Sequence, residues 1–399
     1  MSVRIVEVNG LPAAGRELLA IGCDPAGVRL MAPKAIFRAV KATGLTPPAA
    51  NILKQEMLSF GGEAGTSYGS IVHSVKTTDV LVLGTLKQFG LLTAKLKLHQ
   101  FGLPKLAAEI EACLKTYDCP PAPLRIGRGT FRFGRRTYIM GILNVTPDSF
   151  SDGGLFDDPA SAVERARAML AEGADIIDIG GESTRPGAAG VPAEEEIRRV
   201  VPVVKKLAGD RGMVISIDTR KAKVARAALE AGADMINDVS GLRYDKQMAG
   251  VAADYKVPIC LMHMKGNPKT MQQKPVYHDL MGEVIGQLAA GIAIANNAGI
   301  LLEKIIVDPG LGFGKTVAHN LEILRQLSEL KALGRPVLVG PSRKSTIGQV
   351  LGLPAADRLE GTAAAVAVAV SRGADLVRVH DVKEMVRVVR MTDAIVRRE

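Results

Sequence analysis

The chain has 399 residues, of which 47% are hydrophobic and 23% are charged. This balance supplies enough apolar surface for a large core, and it differs from the polar, highly charged composition of disordered chains. The net charge of +10 leaves nucleic acids, membrane surfaces and anionic small molecules as candidate partners. Because the chain has no Trp, only 4% aromatic residues and no long basic run, we expect no nucleic-acid partner.

The cysteine pattern and the N-terminal sequence indicate a cytoplasmic protein. Cys23, Cys113, Cys119 and Cys260 form no CxxC pair and have no His at metal-ligand spacing, so we predict neither a disulfide scaffold nor a zinc site. Glu7 and Arg16 interrupt the N-terminal apolar stretch, which therefore differs from a secretory signal. The most apolar helical stretch, residues 361–371, is too short to span a bilayer, and we expect no membrane partner.

Residues 1–118 have the pattern of a small α/β N-terminal domain. Short apolar runs at 3–8 and 80–83 alternate with helix-like stretches at 49–58 and 105–114. No specific motif assigns a role to this domain. A proline-rich segment follows, and proline fixes φ and lacks an amide donor. We therefore place a linker and a hairpin at residues 119–136, with the hairpin closing one end of the domain that follows.

From residue 137 onward, apolar runs that end in polar residues and glycines alternate with amphipathic helical stretches. The eight predicted strands are 138–145, 175–180, 214–218, 235–239, 258–262, 304–308, 336–339 and 376–380. Alternating strands and helices favour a parallel sheet with right-handed crossovers, and eight such units favour closure into a barrel. The sequence thus predicts an α/β protein in which a (β/α)8 TIM barrel at residues 137–399 follows the smaller α/β domain.

A Gly-Ala-Asp fragment recurs at residues 173–175, 232–234 and 373–375, each time just before a predicted strand. In each copy the glycine suits the C-terminus of the preceding helix. Five residues after the three glycines stand Asp178, Asn237 and Arg378. A polar residue inside a buried parallel strand is costly unless it lines a site or is satisfied within the barrel core. Both interpretations stay open for each of the three residues.

Polar side chains also mark the C-terminal ends of the predicted strands, where barrels of this kind carry their catalytic groups. The acidic and amide residues are Asp218, Asn237 and Asp308, and the cationic ones are Lys344, Arg378 and His380. Carboxylates accept the paired N–H bonds of a nitrogen heterocycle, and cations bind phosphate or diphosphate. The two sets therefore favour a substrate with a heterocycle at one end and a phosphorylated leaving group at the other.

Taken singly, each of these residues has a structural alternative. Asp218 suits a helix N-cap, and Asp308 suits a turn. His380 suits a satisfied core position, and residues 342–344 suit a solvated helix start. Their occurrence together at the ends of consecutive predicted strands favours a substrate-binding site. Residues 309–316 look like a phosphate-binding loop, but Pro309 replaces the required glycine, which argues against that class.

Eight segments between residues 141 and 382 resemble the motifs of dihydropteroate synthases. The two longest are GILNVTPDSFSDGG at 141–154 and DIGGESTRPG at 178–187. The shorter ones are SIDT at 216–219, IND at 236–238, LMHM at 261–264, GFGK at 312–315, SRKS at 342–345 and RVHDV at 378–382. Matches of this length in this order make chance similarity a poor explanation.

The resemblance implies an enzyme of folate biosynthesis that condenses 6-hydroxymethyl-7,8-dihydropterin diphosphate with 4-aminobenzoate, giving 7,8-dihydropteroate and diphosphate. The catalytic residues it implies are Asp218, Asp308, Lys344, Arg378 and His380. Those implied for the pterin diphosphate are Thr184, Asp218, Asn237, Met262, Asp308, Phe313, Lys344, Arg378 and His380. Those implied for 4-aminobenzoate are Phe150, Arg185, Pro186 and Ser345. It further implies Asn144 beside a Mg²⁺ ion, a homodimer and sensitivity to sulfonamides.

Two other classes of function stay open at this point. A pterin-binding methyltransferase, which passes a methyl group from methyltetrahydrofolate to a corrinoid protein, would use a similar barrel with similar Asp and Asn positions. It would not need the loop at 146–150 or a phosphate-facing Arg-x-His at 378–380. An RNA-associated or scaffolding protein would instead use the basic surface. Diphosphate release from the two substrates separates a synthase from both alternatives.

Overall fold

The computed structural model describes residues 1–146, 159–183, 190–266, 271 and 275–397. The chain divides into two compact units, Met1–Cys119 and Pro120–Glu399. Four of the sequence-predicted site residues, Phe150, Thr184, Arg185 and Pro186, lie outside the described residues.

The first unit is a small α/β domain, as the alternating pattern predicts. Its helices are α1 Leu11–Ala20, α2 Pro25–Ala35, α3 Pro47–Ser59, α4 Tyr68–Ile71, α5 Leu86–Leu96 and α6 Leu103–Asp118. Its strands are β1 Phe37–Leu45, β2 Glu63–Thr66 and β3 Thr78–Thr85, which form an antiparallel sheet in the order β1-β3-β2. Alternate residues of β3, such as Val80 and Val82, are fully buried with Leu53, Met57 and Phe89 of the helices. Helices therefore cover one face of the sheet.

One apolar run of the first unit does not form a strand. Residues 3–8 have neither helical nor strand structure, and Val3 and Ile5 are fully exposed. An apolar run becomes a strand only where another strand offers hydrogen-bond partners, and no described strand pairs with this segment. Local composition alone does not supply that partner.

The second unit is a (β/α)8 barrel preceded by a hairpin. The hairpin strands are β4 Leu124–Ile126 and β5 Gly129–Phe131. The barrel strands are β6 Tyr138–Asn144, β7 Ile176–Gly180, β8 Ile215–Asp218, β9 Met235–Asp238, β10 Ile259–Met262, β11 Ile305–Asp308, β12 Leu338–Val339 and β13 Leu376–Val379. Its helices are α7 Pro159–Glu172, α8 Ala193–Leu207, α9 Ala222–Glu230, α10 Met248–Asp254, α11 Leu280–Asn297, α12 Val317–Arg325, α13 Ser345–Leu351, α14 Leu359–Ser371 and α15 Val382–Val396.

The strands are parallel and run in the order β11-β10-β9-β8-β7-β6-β13-β12. A bridge between Val307 and Val337 joins the two ends of this order and closes the barrel. The predicted strands are therefore confirmed, and each observed strand lies within the predicted range.

The aspartates of the repeated Gly-Ala-Asp fragments form hydrogen bonds that link neighbouring strands at their N-terminal ends. The carboxylates of Asp175, Asp234 and Asp375 accept the backbone N–H groups of Ile139, Ile215 and Val337, at 2.8, 2.9 and 3.1 Å. In each pair the amide belongs to the strand that precedes the aspartate along the chain, or to the residue just before that strand. The glycines of the three fragments have φ values of 108°, 111° and 97°, which explains why glycine recurs there.

Apolar side chains fill the end of the barrel where the strands start. Inward-facing residues such as Ile176, Met235 and Leu376 form one buried cluster with Leu124 and Phe131 of the hairpin. The hairpin therefore covers that end. The opposite end, where the strands finish, holds polar side chains. Among the described residues no helix is long and apolar enough to cross a membrane.

Two glycines with left-handed backbone geometry allow a matched test of the turn that follows β11. Gly310 has φ 67°, and a Cβ atom there would clash with the carbonyl oxygen of His263. Gly352 has φ 69°, but the space around its Cβ position is open. We expect Gly352→Ala to cost roughly 1–2 kcal/mol of stability, the usual cost of left-handed backbone geometry for a residue with a Cβ atom. Gly310→Ala should cost clearly more, because a backbone clash is added.

The measurement is thermal unfolding followed by circular dichroism, with the two variants compared at the same protein concentration. Equal shifts of the unfolding temperature would contradict the packing described for Gly310.

Candidate active site

The strand ends surround one cavity that combines acidic, cationic and apolar side chains. It is lined by Ile142, Asp218, Asn237, Val239, Met262, Asp308, Phe313, Gly340, Ser342, Lys344, Arg378 and His380. Eight of the sequence-predicted residues are in this set: Asp218, Asn237, Met262, Asp308, Phe313, Lys344, Arg378 and His380. These residues come from six different strands or the loops after them, so only the closed barrel brings them together.

Two other predicted residues lie outside the cavity lining. Asn144 ends β6, and its Oδ1 lies close to Gly180 together with Oδ2 of Asp218, within 3.8 and 3.7 Å of the Cβ position of that glycine. Asn144 thus lies near Asp218 without lining the cavity. Ser345 is exposed at the first residue of α13.

Arg378 connects two carboxylates at the base of the cavity. Its Nε donates to Asp178 Oδ2 at 2.6 Å, and its Nη2 donates to Asp218 Oδ2 at 2.7 Å. Desolvation acts to lower the pKa of Arg378, but the carboxylates of Asp178 and Asp218 outweigh it and hold that pKa above its ordinary value. The guanidinium therefore stays charged although it is mostly buried.

Burial raises the pKa of the Asp218 carboxyl group. Desolvation raises the pKa of Asp218 to about 7; Arg378 opposes this shift, and Asp178, Glu196 and Asp238 add to it. Its Oδ1 is buried and has no hydrogen-bond partner among the described residues. A buried carboxylate oxygen without a donor is costly. Its environment therefore suits a ligand that brings an N–H donor.

Asn237 has a fixed orientation because its neighbour can only accept hydrogen bonds. Its Nδ2 donates to Asp178 Oδ2 at 2.9 Å. The amide oxygen must then be on the opposite side of the group, so Asn237 offers an acceptor to the cavity. Asp178 was not among the predicted site residues, although the repeat had placed it in the same phase as Asn237 and Arg378.

Asp308 both forms a turn and faces the cavity. Its Oδ1 accepts the N–H of Gly310 at 2.7 Å, which fixes the plane of the carboxylate. Desolvation raises the pKa of Asp308, and the nearby ammonium of Lys344 opposes that rise. The same residue therefore forms the turn of the structural alternative and lines the cavity.

Lys344 lies between a backbone carbonyl and an aromatic ring. Its Nζ donates to the carbonyl oxygen of Leu311 and lies 4.8 Å from the centre of the Phe313 ring. Desolvation lowers the pKa of Lys344 to about 8, and Asp308 acts in the opposite direction. The residue before it, Arg343, has φ 54°, and this strained turn is held by a bond from the Arg343 N–H to Thr362 Oγ1 at 3.1 Å.

His380 is oriented by Ser342, a residue that was not among the predicted site residues. The Nδ1 atom of His380 is 3.0 Å from Ser342 Oγ, and the backbone N–H of His380 donates to the same oxygen at 3.2 Å. These contacts join the loop after β12 to the end of β13. The SRKS motif therefore supplies the support for His380 as well as Lys344 itself.

His263 at the end of β10 does not line the cavity. Desolvation and the neighbouring Lys315 lower the pKa of His263 to about 2, so the ring is neutral. The Lys315 Nζ lies 2.8 Å from its Nδ1 and also donates to the carbonyl oxygen of Phe313 at 3.1 Å. This buried contact ties the end of β10 to the loop after β11, which carries Phe313.

The cavity can therefore bind a flat ring and an anion side by side. Val239, Met262 and Phe313 belong to one apolar cluster that suits a planar heterocycle. Asp218, Asn237 and Asp308 offer hydrogen-bond acceptors, and Lys344, Arg378 and His380 line the same cavity. Within the described ranges no cluster of three or more His, Cys, Asp or Glu residues could hold a metal ion by itself.

Comparison with protein families and characterised sequences gives a consistent result. The family model described as "Pterin binding enzyme" matches residues 140–380. The dihydropteroate synthase of Synechocystis is 51% identical over 279 residues, which are 70% of this chain and 96% of that protein. A probable bifunctional folylpolyglutamate synthase/dihydropteroate synthase of Halobacterium salinarum is 45% identical over 391 residues. This alignment covers 97% of the chain, including most of the first unit, and 46% of that protein.

Solved structures agree with the sequence relatives. The dihydropteroate synthase of Clostridium difficile, solved in the presence of pteroic acid, has a TM-score of 0.64 and 51% identity; it covers 67% of this chain and 100% of its own. The Xanthomonas albilineans enzyme in complex with 7,8-dihydropteroate has a TM-score of 0.63 and 42% identity, covering 69% of this chain and 98% of its own.

Proposed function

The chain belongs to the dihydropteroate synthase family of pterin-binding enzymes, and we propose that the cavity described above is where it catalyses that family's condensation. It is a transferase that joins 6-hydroxymethyl-7,8-dihydropterin diphosphate to 4-aminobenzoate. The bond between the methylene carbon and the diphosphate oxygen breaks, a bond from that carbon to the arylamine nitrogen forms, and that nitrogen releases one proton. The products are 7,8-dihydropteroate and diphosphate. The observation that carries the assignment of the site is the pairing of acceptors with cations around one apolar cleft.

The acidic side of the cavity would hold the pterin ring. Asp218 and Asp308 would accept ring and amino N–H groups, and the outward oxygen of Asn237 would accept a further one. Lys344 would reach the carbonyl of the ring, while Met262 and Phe313 pack against its faces.

The cationic side would bind the leaving group. Arg378 and His380 would face the diphosphate, together with Thr184 from the second loop. Their charge and hydrogen bonds stabilise the negative charge that grows on diphosphate as it departs. Asp218 and Asp308 stabilise the positive charge that develops on the pterin methylene group. Attack by the arylamine then depends mainly on proximity.

The 4-aminobenzoate pocket would be formed by the loops at the mouth of the barrel. We assign Phe150, Arg185, Pro186 and Ser345 to it. The exposed position of Ser345, next to Lys344, is compatible with contact to a second substrate that approaches from the solvent side. Sulfonamides, as analogues of 4-aminobenzoate, would compete there.

A Mg²⁺ ion fits the donors beside the diphosphate position. Asn144 Oδ1 and the Asp218 carboxylate lie close to the same glycine and are hard oxygen donors. Mg²⁺ typically uses one or two protein oxygens and takes its other ligands from substrate phosphates and water. Asn144 would hold the ion, and the ion would neutralise charge on the diphosphate.

The methyltransferase alternative is not favoured. Relatives that are 51% and 53% identical are named dihydropteroate synthase, and the cavity includes the Arg378 and His380 pair that a methyl transfer would not require. We also propose that the enzyme acts as a homodimer in the cytoplasm. Residues 1–118 would form a separate domain of unassigned role, joined to the catalytic barrel at 137–399 through the 119–136 hairpin segment.

Replacement of Asp308 by Asn tests the proposed binding of the pterin ring. The substitution replaces a charged acceptor with a neutral amide, which can also place a donor opposite the N–H groups of the ring. We therefore expect kcat/KM for the pterin diphosphate to fall about 100-fold or more. Diphosphate release measures the rate. Asp234→Asn, which changes a carboxylate at the opposite end of the strands, is the control and should retain normal kinetics. A folded Asp308→Asn enzyme with near-normal rates would remove Asp308 from the site.

The pH dependence of kcat/KM should be bell-shaped. Asp218 must be ionised to accept N–H bonds, and its pKa of about 7 predicts a tenfold loss of rate per pH unit below that value. Lys344 must be protonated, and its pKa of about 8 predicts a similar loss above that value. The optimum should therefore lie between these values. A profile that stays flat well below the pKa of Asp218 would contradict its proposed role.

Removal of divalent metal tests the Mg²⁺ assignment. Treatment with EDTA should abolish diphosphate release, because the leaving group would lose its charge neutralisation, and added Mg²⁺ should restore it. Asn144→Ala should raise the Mg²⁺ concentration needed for half-maximal rate. Full activity in EDTA would exclude the metal from the reaction.

A further inference from the structure

Asp178 lies deeper in the barrel than the residues assigned to the substrates. It is the third residue of β7, its side chain is fully buried, and its backbone pairs with Ile142 of β6 and Ser216 of β8. It is not among the residues that line the cavity. A buried carboxylate is costly unless its hydrogen bonds recover the cost, so its partners indicate why it is there.

Both of its described hydrogen bonds reach residues of the proposed site, and both use the same oxygen atom. Asp178 Oδ2 accepts from Asn237 Nδ2 at 2.9 Å and from Arg378 Nε at 2.6 Å. One of these residues is assigned to the pterin ring and the other to the diphosphate. A single atom therefore links the two halves of the site.

The contact determines which chemical face Asn237 shows to the ring. An ionised carboxylate only accepts hydrogen bonds, so the amide nitrogen must point at Asp178 and the amide oxygen away from it. Without Asp178, rotation of the amide by 180° would present a donor to the N–H groups of the pterin. Two donors facing each other cannot bond, so the pterin would be bound more weakly.

The same contact fixes the plane of the Arg378 guanidinium. Nε is bonded to Asp178 and Nη2 to Asp218, so two of the three nitrogens of the planar group are held in place. Both N–H groups of Nη1 and the second N–H of Nη2 are then left to donate to an anion. Loss of either carboxylate would leave a group with several rotatable bonds held at one point only.

We propose that Asp178 is a positioning residue that holds Asn237 and Arg378 in the orientations that the pterin ring and the diphosphate require. The inference rests on the proposed function of the cavity and adds a residue to it. We therefore expect one substitution at Asp178, which does not line the cavity, to weaken the binding of two chemically unrelated probes.

The test is equilibrium binding of the two halves of the substrate, measured separately by titration calorimetry on the full chain. The probes are 6-hydroxymethylpterin, which lacks phosphate, and inorganic diphosphate with Mg²⁺. Asp178→Ala should weaken both by at least about tenfold, the usual effect of losing a hydrogen bond to a charged group. Asp178→Asn should recover most of both losses, since its amide oxygen can take the place of Oδ2. Asn237→Ala should weaken the pterin only.

The controls separate positioning from general destabilisation. Asp234→Ala removes a carboxylate that accepts a backbone N–H at the opposite end of the strands and should leave both affinities unchanged. Circular dichroism selects a temperature at which every variant is folded, and Asp178→Ser replaces the alanine variant if that one does not fold. Wild-type affinity of the folded variant for either probe would overturn the proposal, as would an asparagine variant no better than alanine. A wild-type chain that binds neither probe would instead overturn the proposed function.

Discussion

The buried contact between Arg378 and two aspartates is the interaction on which the site depends. Asp178, Asp218 and Arg378 lie on β7, β8 and β13, and their charges are removed from water where those strands end. Two carboxylates alone would repel each other there, so the guanidinium makes the arrangement possible. Removing one partner of such a group typically costs about 3–5 kcal/mol, because an unpaired buried charge remains. With both carboxylates ionised the group carries one net negative charge, which suits the proposed binding of N–H donors.

The apolar side chains that stabilise the barrel and the side chains of the proposed site lie at opposite ends of the strands, as in other barrels of this class. One sequence repeat contributes to both ends. Two residues after its glycine, each repeat has an aspartate that accepts a backbone N–H at or just before the neighbouring strand. Three residues after that aspartate, Asp178, Asn237 or Arg378 points into the barrel. The apolar core and the hairpin fill the barrel near the aspartates, so the polar cavity lies at the other end of the strands.

Asp308 forms a turn and also lines the cavity, so a structural contact and the proposed function involve the same side chain. Its Oδ1 closes a turn on Gly310, which gives the carboxylate one orientation, and the rest of the group faces the cavity beside Lys344. The same holds for the SRKS segment: Ser342 orients His380, strained Arg343 is held by Thr362, and Lys344 reaches the site. A substrate with a fixed shape benefits from such orientation before binding, because less entropy is lost when it arrives.

The sequence by itself determined the strands, the barrel and the polar character of the strand ends, because these follow from local periodicity and from glycines at helix ends. Family resemblance then named the substrate and most of the residues that line the cavity. Local patterns did not reveal that residues 3–8 form no strand, that Ser345 is exposed, or that Ser342 supports His380. Only the tertiary structure decided the contacts of Asp178, since its partners Asn237 and Arg378 lie 59 and 200 residues away along the chain. Hydrogen bonds between such distant residues depend on barrel closure, which no local window of sequence contains.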